Sequence, residues 1–213
     1  MSTVGLVDYG IGNLLSVARA FEHEGATIKH VHTPEELRSC DRLILPGVGA
    51  FADGMKGLWS RDLVEPLCEY ARAGKPFLGI CLGMQMLFDA SEEFGEHQGL
   101  GLIPGRVVAI PAVGIDRRPH KIPHIGWSPL TLPPERSTWE STPLQGIRYG
   151  EPAYFVHSFT AAPKHEPDRL ADCHYNGVVI SAMVARGNVF GAQFHPEKSG
   201  AMGLRIIRNF LAL

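Results

Sequence analysis

Apolar residues along this chain follow one pattern in the first half and another in the second. In the first half, short apolar runs alternate with segments of helical spacing. Residues 4–7 predict a strand, 13–23 a helix that Gly25 can end, and 26–31 a second strand. Thr33, Pro34 and Glu36 then read as an N-cap, a first-turn proline and the returning carboxylate of a capping box, which starts a short helix. Residues 43–45 predict a third strand that ends in the turn Pro46-Gly47-Val48-Gly49. A helix over 63–73, closed by Gly74, precedes a strand over 76–80 that leads into Cys81. This alternation predicts a mostly parallel sheet with helices on both faces, whose ligands gather beyond the carboxyl ends of the strands.

From Arg106 onward the chain is rich in β-branched residues, prolines and glycines. Strands are predicted at 106–110, 153–159, 178–184 and 189–194, too closely spaced for helical crossovers and therefore partly antiparallel. Residues 202–213 return to helical spacing and should pack on the first sheet. Residues 111–120 and 132–145 are polar, proline-bearing loops without the length of a domain linker. The expected fold class is α/β: a mostly parallel central sheet with helices on both faces plus a smaller, partly antiparallel sheet, in one domain over 1–213.

Composition narrows the function classes. The chain has 213 residues, 45% hydrophobic and 20% charged, enough for one well-buried core. Its formal net charge is -2, without runs of like charge, which argues against nucleic acid or an anionic membrane as partner and favours small polar substrates or proteins. The opening MSTVGLVDYG lacks a basic region followed by an apolar core, and no stretch approaches membrane-spanning length, so a cytoplasmic location is expected. Cys40, Cys68, Cys81 and Cys173 show no paired CxxC spacing and read as reduced thiols.

One of those cysteines stands apart. In KPFLGICLGMQMLF, residues 75–88, an apolar run stops at Cys81 between Gly79 and Gly83 and a helical pattern follows, the outline of a nucleophile elbow. A free thiol, with a pKa of about 8.5, is mostly protonated at neutral pH, but a helix start and a nearby imidazolium both favour the thiolate. Far downstream, QFHPEK at 193–198 offers a base and a carboxylate. Pro196 pushes His195 toward an extended conformation, so the side chains of His195 and Glu197 project to the same side and one can orient the other. Cys81, His195 and Glu197 thus form a candidate cysteine-hydrolase triad. Backbone N–H donors for the oxyanion are expected from Leu82 and from the 46–49 turn. Read singly, each motif has a plainer alternative: a buried small hydrophobe, a solvated surface turn, a tight turn.

Together these residues resemble the class I glutamine amidotransferases, in which a Cys-His-Glu triad on a flavodoxin-like α/β sheet releases ammonia from glutamine. Six blocks, VDYGIGNL, LPGVGAF, LGICLGMQ, PHIGW, YFVHS and QFHPEKSG, are similar, in the same order, to the glutaminase subunits of imidazole glycerol phosphate synthases. The resemblance implies hydrolysis of glutamine here and passage of ammonia to a cyclase subunit, a (β/α)8 barrel forming a heterodimer with this chain, in histidine biosynthesis. It implies no cofactor and no metal. By position in the matching motifs, Cys81 would be the nucleophile, His195 the base and Glu197 its orienter. Gly47, Gly49, Gln85, Glu93, His157 and Ser158 would hold glutamine, with Glu93 suited to its ammonium group. The Leu82 and Val48 N–H groups would serve the oxyanion, the latter after a peptide flip. Asn13, Trp127, Tyr154 and Lys198 would face the cyclase. Three departures stand out: a longer approach over 111–121, Ser128 where the family often has Asn, and Phe159 where it often has Tyr.

Other readings are an amidotransferase serving anthranilate, guanylate or pyridoxal phosphate synthesis, a cysteine peptidase, and a catalytically silent binding module. YGIGN and PHIGW argue against the first and the intact triad against the third, while the second would process peptides without a partner, which a small-pocket glutaminase would not.

Overall fold

The capping signals read in the first half each form. In the computed structural model, which describes residues 3–213, the Thr33 hydroxyl accepts from the Glu36 N–H while the Glu36 carboxylate accepts from the His32 and Thr33 N–H groups, closing the capping box. The chain runs β1 (Thr3–Val7), α1 (Leu14–His23), β2 (Thr27–Val31), α2 (Pro34–Arg38), β3 (Arg42–Leu45), α3 (Phe51–Trp59), α4 (Val64–Arg72), β4 (Phe77–Ile80) and α5 (Leu82–Met86). It continues through β5 (Phe88–Ser91), β6 (His97–Gln98), β7 (Ile103–Ala109), β8 (His124–Pro129), β9 (Pro152–His157), β10 (Phe159–Pro163), β11 (Arg169–Tyr175), β12 (Val178–Arg186) and β13 (Val189–Ala192) to α6 (Gly200–Ala212).

The central sheet has the order β11-β12-β13-β4-β3-β1-β2, parallel from β13 to β2 and antiparallel through β11 and β12. Its middle strands are apolar on both faces, as a sheet covered on both sides requires. Ile44, Leu78 and Ile80 join the core under α1 and α6, while Leu43, Leu45 and Phe77 join the core under α3 and α4. Phe210 of α6 meets Phe21 of α1 and Phe190 of β13 edge-on, with ring centres 6.3 and 6.4 Å apart, so the carboxyl-terminal helix packs on the first sheet as expected. A second sheet, β10-β7-β5-β6, and a two-stranded ribbon, β8-β9, flank the carboxyl ends of the central strands.

The fold departs from the sequence reading in several places. The pattern after Cys81 yields a helix of only five residues, because Phe88 turns into β5 of the second sheet. Helix α3 was not anticipated: its Gly54 and Gly57 weaken the helical signal. Gly57 is there for close approach, since a Cβ on it would sit 2.8 Å from the Tyr9 carbonyl oxygen. The single strand expected over 153–159 is two strands, because the chain leaves β8 at Ser158 and joins β7 of the other sheet. β11, an edge strand, was also unforeseen. Among the described residues no helix is long and apolar enough to cross a membrane.

Phe210→Ala removes a fully buried ring that links α6 to α1 and β13. It should lower unfolding stability by about 3–5 kcal/mol, seen as a reduced urea midpoint with an unchanged m-value. An unaltered midpoint would mean that α6 is not part of the cooperative core.

Candidate active site

The carboxyl ends of β1, β3, β4 and β13 lie side by side, and the segments leaving them build the site. At the end of β4 the backbone of Cys81 adopts φ 55° and ψ -110°, a left-handed conformation that costs an ordinary residue about 1–3 kcal/mol. Its N–H donates to the Ala192 carbonyl at 2.7 Å, extending the β4–β13 pairing by one residue. Neither flanking glycine carries a positive φ. Their role is close approach: a Cβ on Gly79 would lie 2.6 Å from the Gly83 oxygen, and one on Gly83 would overlap the Leu45 carbonyl oxygen. The elbow therefore closes only with glycine at both positions, and it turns Cys81 toward a cavity of about 380 Å³.

That cavity brings together Val48, Gly49, Cys81, Leu82, Gln85, Glu93, His157, Ser158 and His195, all expected at the site, and adds Pro123, Val156 and Phe159. The volume falls in the range of small-molecule sites. Glu197 lies behind His195, its Oε1 2.7 Å from His195 Nδ1, and both side chains are buried. His195 is extended, as its following proline predicts, but Glu197 reaches it from a short 3-10 turn over Pro196–Lys198 rather than from a strand. Burial works against charge on His195, but the Cys81 sulfur and the Glu197 carboxylate outweigh it and raise its pKa to about 9. His195 Nε2, the ring nitrogen left for the thiol, makes no formed hydrogen bond, so its influence on the sulfur is one of proximity. The arrangement can supply a proton to a leaving group bound at Cys81 and later take one from water. For Cys40, Cys68 and Cys173, burial first, with a smaller push from Asp41, Glu65 and Asp172 respectively, raises the thiol pKa and favours the neutral, inert form.

The 46–49 turn, expected to serve an oxyanion, does not present two free N–H groups to the cavity. The Leu82 N–H points at the Gly47 carbonyl oxygen at 3.4 Å. In a trans peptide the N–H opposes the carbonyl, so the Gly47–Val48 peptide presents oxygen to the site and turns the Val48 N–H away. Tyr9, a residue the sequence reading passed over, fixes the start of this turn by donating its hydroxyl to the Pro46 carbonyl at 2.7 Å. Burial, reinforced by the nearby Cys81, raises the Tyr9 phenol well above the tyrosine range and keeps it a donor.

Other site residues take definite places. Glu93 Oε2 accepts the Phe51 N–H at 2.7 Å, capping α3, which lacks a cap of its own, while Glu93 also lines the cavity. Gln85 spends both amide hydrogens on the Phe159 carbonyl and on Gln193 Oε1, at 3.1 and 3.0 Å, leaving its own oxygen for a ligand N–H. Gln193, fully buried, in turn directs its amide at Cys81 Sγ from 3.9 Å. His157 lines the cavity as a neutral ring: burial drives its pKa to about 3, and that of its partner His124 to about 4 with His120 adding to the effect. Trp127 and Tyr154 pair edge-on at 5.7 Å on the outer side of the β8–β9 ribbon, with Lys198 6.0 Å from the Tyr154 ring centre. Asn13 caps α1 through the Ser16 N–H and is exposed. Among the described residues no group of three or more His, Cys, Asp or Glu is placed to hold a metal ion.

The family model described as glutamine amidotransferase class-I matches residues 5–213. The chain is 56% identical over 213 residues, the whole of both chains, to imidazole glycerol phosphate synthase subunit HisH 1 of Legionella pneumophila (strain Lens). It is 49% identical over 207 residues, 97% of this chain and 92% of the other, to the subunit HisH of Desulfitobacterium hafniense (strain DSM 10664 / DCB-2). Among solved structures, one described as a glutamine amidotransferase superposes with a TM-score of 0.74 at 19% identity, covering 98% of this chain and 97% of that one. The structure of PurLQS from Thermotoga maritima superposes with a TM-score of 0.72 at 22% identity, covering 100% and 99%. These two bear on the fold.

The neutral pair His124 and His157 sets a pH dependence. Their folded pKa values lie below the free value of about 6.5, so the unfolded chain takes up protons first as pH falls. Their contribution to stability is therefore full above pH 6.5 and is lost between that value and about 4 and 3. The urea midpoint should fall from pH 7 to pH 5, and by less in His124→Phe. An equal fall in both proteins would contradict the neutral-pair assignment.

Proposed function

Because the chain belongs to the class-I glutamine amidotransferase family, we propose that it is the glutaminase subunit of an imidazole glycerol phosphate synthase, hydrolysing glutamine to glutamate and ammonia for histidine biosynthesis. The observation that carries this reading is the convergence of Cys81 and His195 at one cavity, with Glu197 bonded to His195 from behind, in a chain 56% identical end to end to such a subunit.

Glutamine binds with its ammonium group at Glu93 and an N–H at the Gln85 oxygen, which places its carboxamide carbon over the Cys81 sulfur. The thiolate attacks that carbon, and the carbonyl oxygen becomes an oxyanion. His195, protonated and held by Glu197, gives its proton to the nitrogen, and the C–N bond breaks to release ammonia and leave a thioester. Water then attacks the thioester with neutral His195 as base. Glutamate departs and the thiol or thiolate is restored, so atoms and protons balance with groups of this chain alone.

The oxyanion needs two donors. Leu82 N–H is in place but occupied by Gly47 O, and the Val48 N–H must swing in by rotation of the Gly47–Val48 peptide. A missing donor costs about 3–4 kcal/mol, or about 10²–10³ in rate. The free chain is accordingly slow, and binding of a ligand-loaded cyclase shifts the turn to its competent form. That cyclase is a (β/α)8 barrel docking at Asn13, Trp127, Tyr154 and Lys198, in the cytoplasm. A closed route between the two subunits keeps ammonia from being protonated by bulk water.

Cys81→Ala should abolish imidazole glycerol phosphate formation from glutamine yet spare formation from added ammonium salt, both assayed in the complex with the cyclase. Loss of both activities would count against the division of labour. Glutaminase turnover should rise at least about a hundredfold when the ligand-loaded cyclase is added to the free chain; equal rates would refute the closed-turn account. Glu197→Gln, which keeps the base but loosens its orientation, should retain more turnover than Cys81→Ala, and identical residual rates would contradict the role given to Glu197.

A further inference from the structure

Behind the cavity wall lies a hydrogen-bond chain that the reaction does not itself use. His157 Nδ1 is 2.7 Å from the Phe159 carbonyl oxygen, which can only accept, so Nδ1 carries the proton and Nε2 of the neutral ring accepts. Nε2 lies 3.0 Å from His124 Nδ1, which must then be the donor, and His124 Nε2 accepts from the Ser128 hydroxyl at 2.9 Å. One backbone oxygen thus fixes both tautomers, and the chain runs in one direction: Ser128 to His124 to His157 to Phe159. His124 is clamped between the rings of Phe155 and Tyr175, with centres 5.0 and 4.2 Å away, and cannot turn to another partner without losing both stacks.

At its far end the chain reaches the substrate wall. The same Phe159 oxygen accepts from Gln85, whose second amide hydrogen goes to Gln193. At its near end it starts on β8, a strand with two faces: His124 and Ser128 are buried inward, while Ile125 and Trp127 are exposed outward.

We propose that His124 and Ser128 are positioning residues that fix the tautomer of His157 and, through the Phe159 carbonyl, the orientation of the Gln85 amide against bound glutamine. The inference rests on the reading of this cavity as the glutamine site. It places a specificity element inside the ribbon whose outer face meets the cyclase, so the substrate wall and the docking strand share one rigid link. The Phe159 carbonyl cannot shift without breaking bonds to both His157 and Gln85.

The test is steady-state glutaminase kinetics of the complex with ligand-loaded cyclase. His124→Phe keeps the ring between Phe155 and Tyr175 but has no donor for His157. It should raise KM for glutamine about tenfold and leave kcat within about twofold, as expected when one buried hydrogen-bond link to a binding group is lost. His124→Asn, whose amide nitrogen can take the place of Nδ1, should return KM to within about threefold of wild type. A wild-type KM in His124→Phe would overturn the inference, as would equal impairment of both variants or a loss confined to kcat. If His124→Phe fails to fold, Ser128→Ala decides: it should raise KM about threefold with kcat kept, and an unchanged KM would overturn the proposal. A wild-type complex without glutaminase activity would overturn the glutamine reading and this inference with it. An active wild type with an indifferent His124→Phe would overturn this inference alone.

Discussion

The site depends on one strained residue. Cys81 holds a left-handed backbone that local preference opposes, and it is kept there from both sides. The Ala192 carbonyl pins its N–H as a continuation of the sheet, and the first turn of α5 lies so close to β3 that only glycine fits at position 83. The same pairing solves a problem of distance along the chain. With Ala192 opposite Ile80, the residues after β13 leave the sheet beside the elbow, and His195 comes to the sulfur without any specialised loop. Tyr154 and Ser199 then hold the His195 backbone, through the Tyr154 carbonyl and the Ser199 hydroxyl, so the base is fixed to the ribbon as well as to the sheet.

Against this rigid pair, the neighbouring oxyanion turn is the part that can change. Gly49 gives it conformational freedom, Val48 is 41% exposed, and it is held by Tyr9 at the Pro46 carbonyl and by a long 3.4 Å bond from the Leu82 N–H to the Gly47 carbonyl. If this turn serves the oxyanion as proposed, acid–base groups fixed beside it in its present form make a site that is assembled but idle. On the proposed reading, control by a partner needs only one peptide rotation, a small structural change with a large effect on the barrier.

Much of this was readable from residues alone, for identifiable reasons. The elbow is encoded by a local signal, glycines on either side of a cysteine between a strand and a turn. The pairing of His195 with Glu197 is local to one motif, although the 3-10 turn at Pro196, and not the extended backbone expected, is what brings the carboxylate to the ring. The capping box at Thr33 and Glu36 is likewise local. What escaped depends on contacts across the fold. Helix α3 carries glycines that lower its own propensity because α5 and Tyr9 press against it, and the break at Ser158 exists only because two sheets compete for one strand. Gln193 stood inside a motif already singled out, yet nothing in the sequence connects it to Gln85 and Cys81. The facing of His124 and His157 is a matter of β8–β9 register, which a single chain does not announce.

The central claim is that position 81 alone, among four buried cysteines, is poised to react in a pocket shaped for glutamine. Incubation of the complex with a glutamine-analogue electrophile, followed by peptide mass mapping, tests it most directly. The account predicts a single adduct, on Cys81, that excess glutamine prevents. An adduct on Cys40, Cys68 or Cys173, or labelling of Cys81 that glutamine does not slow, would contradict it.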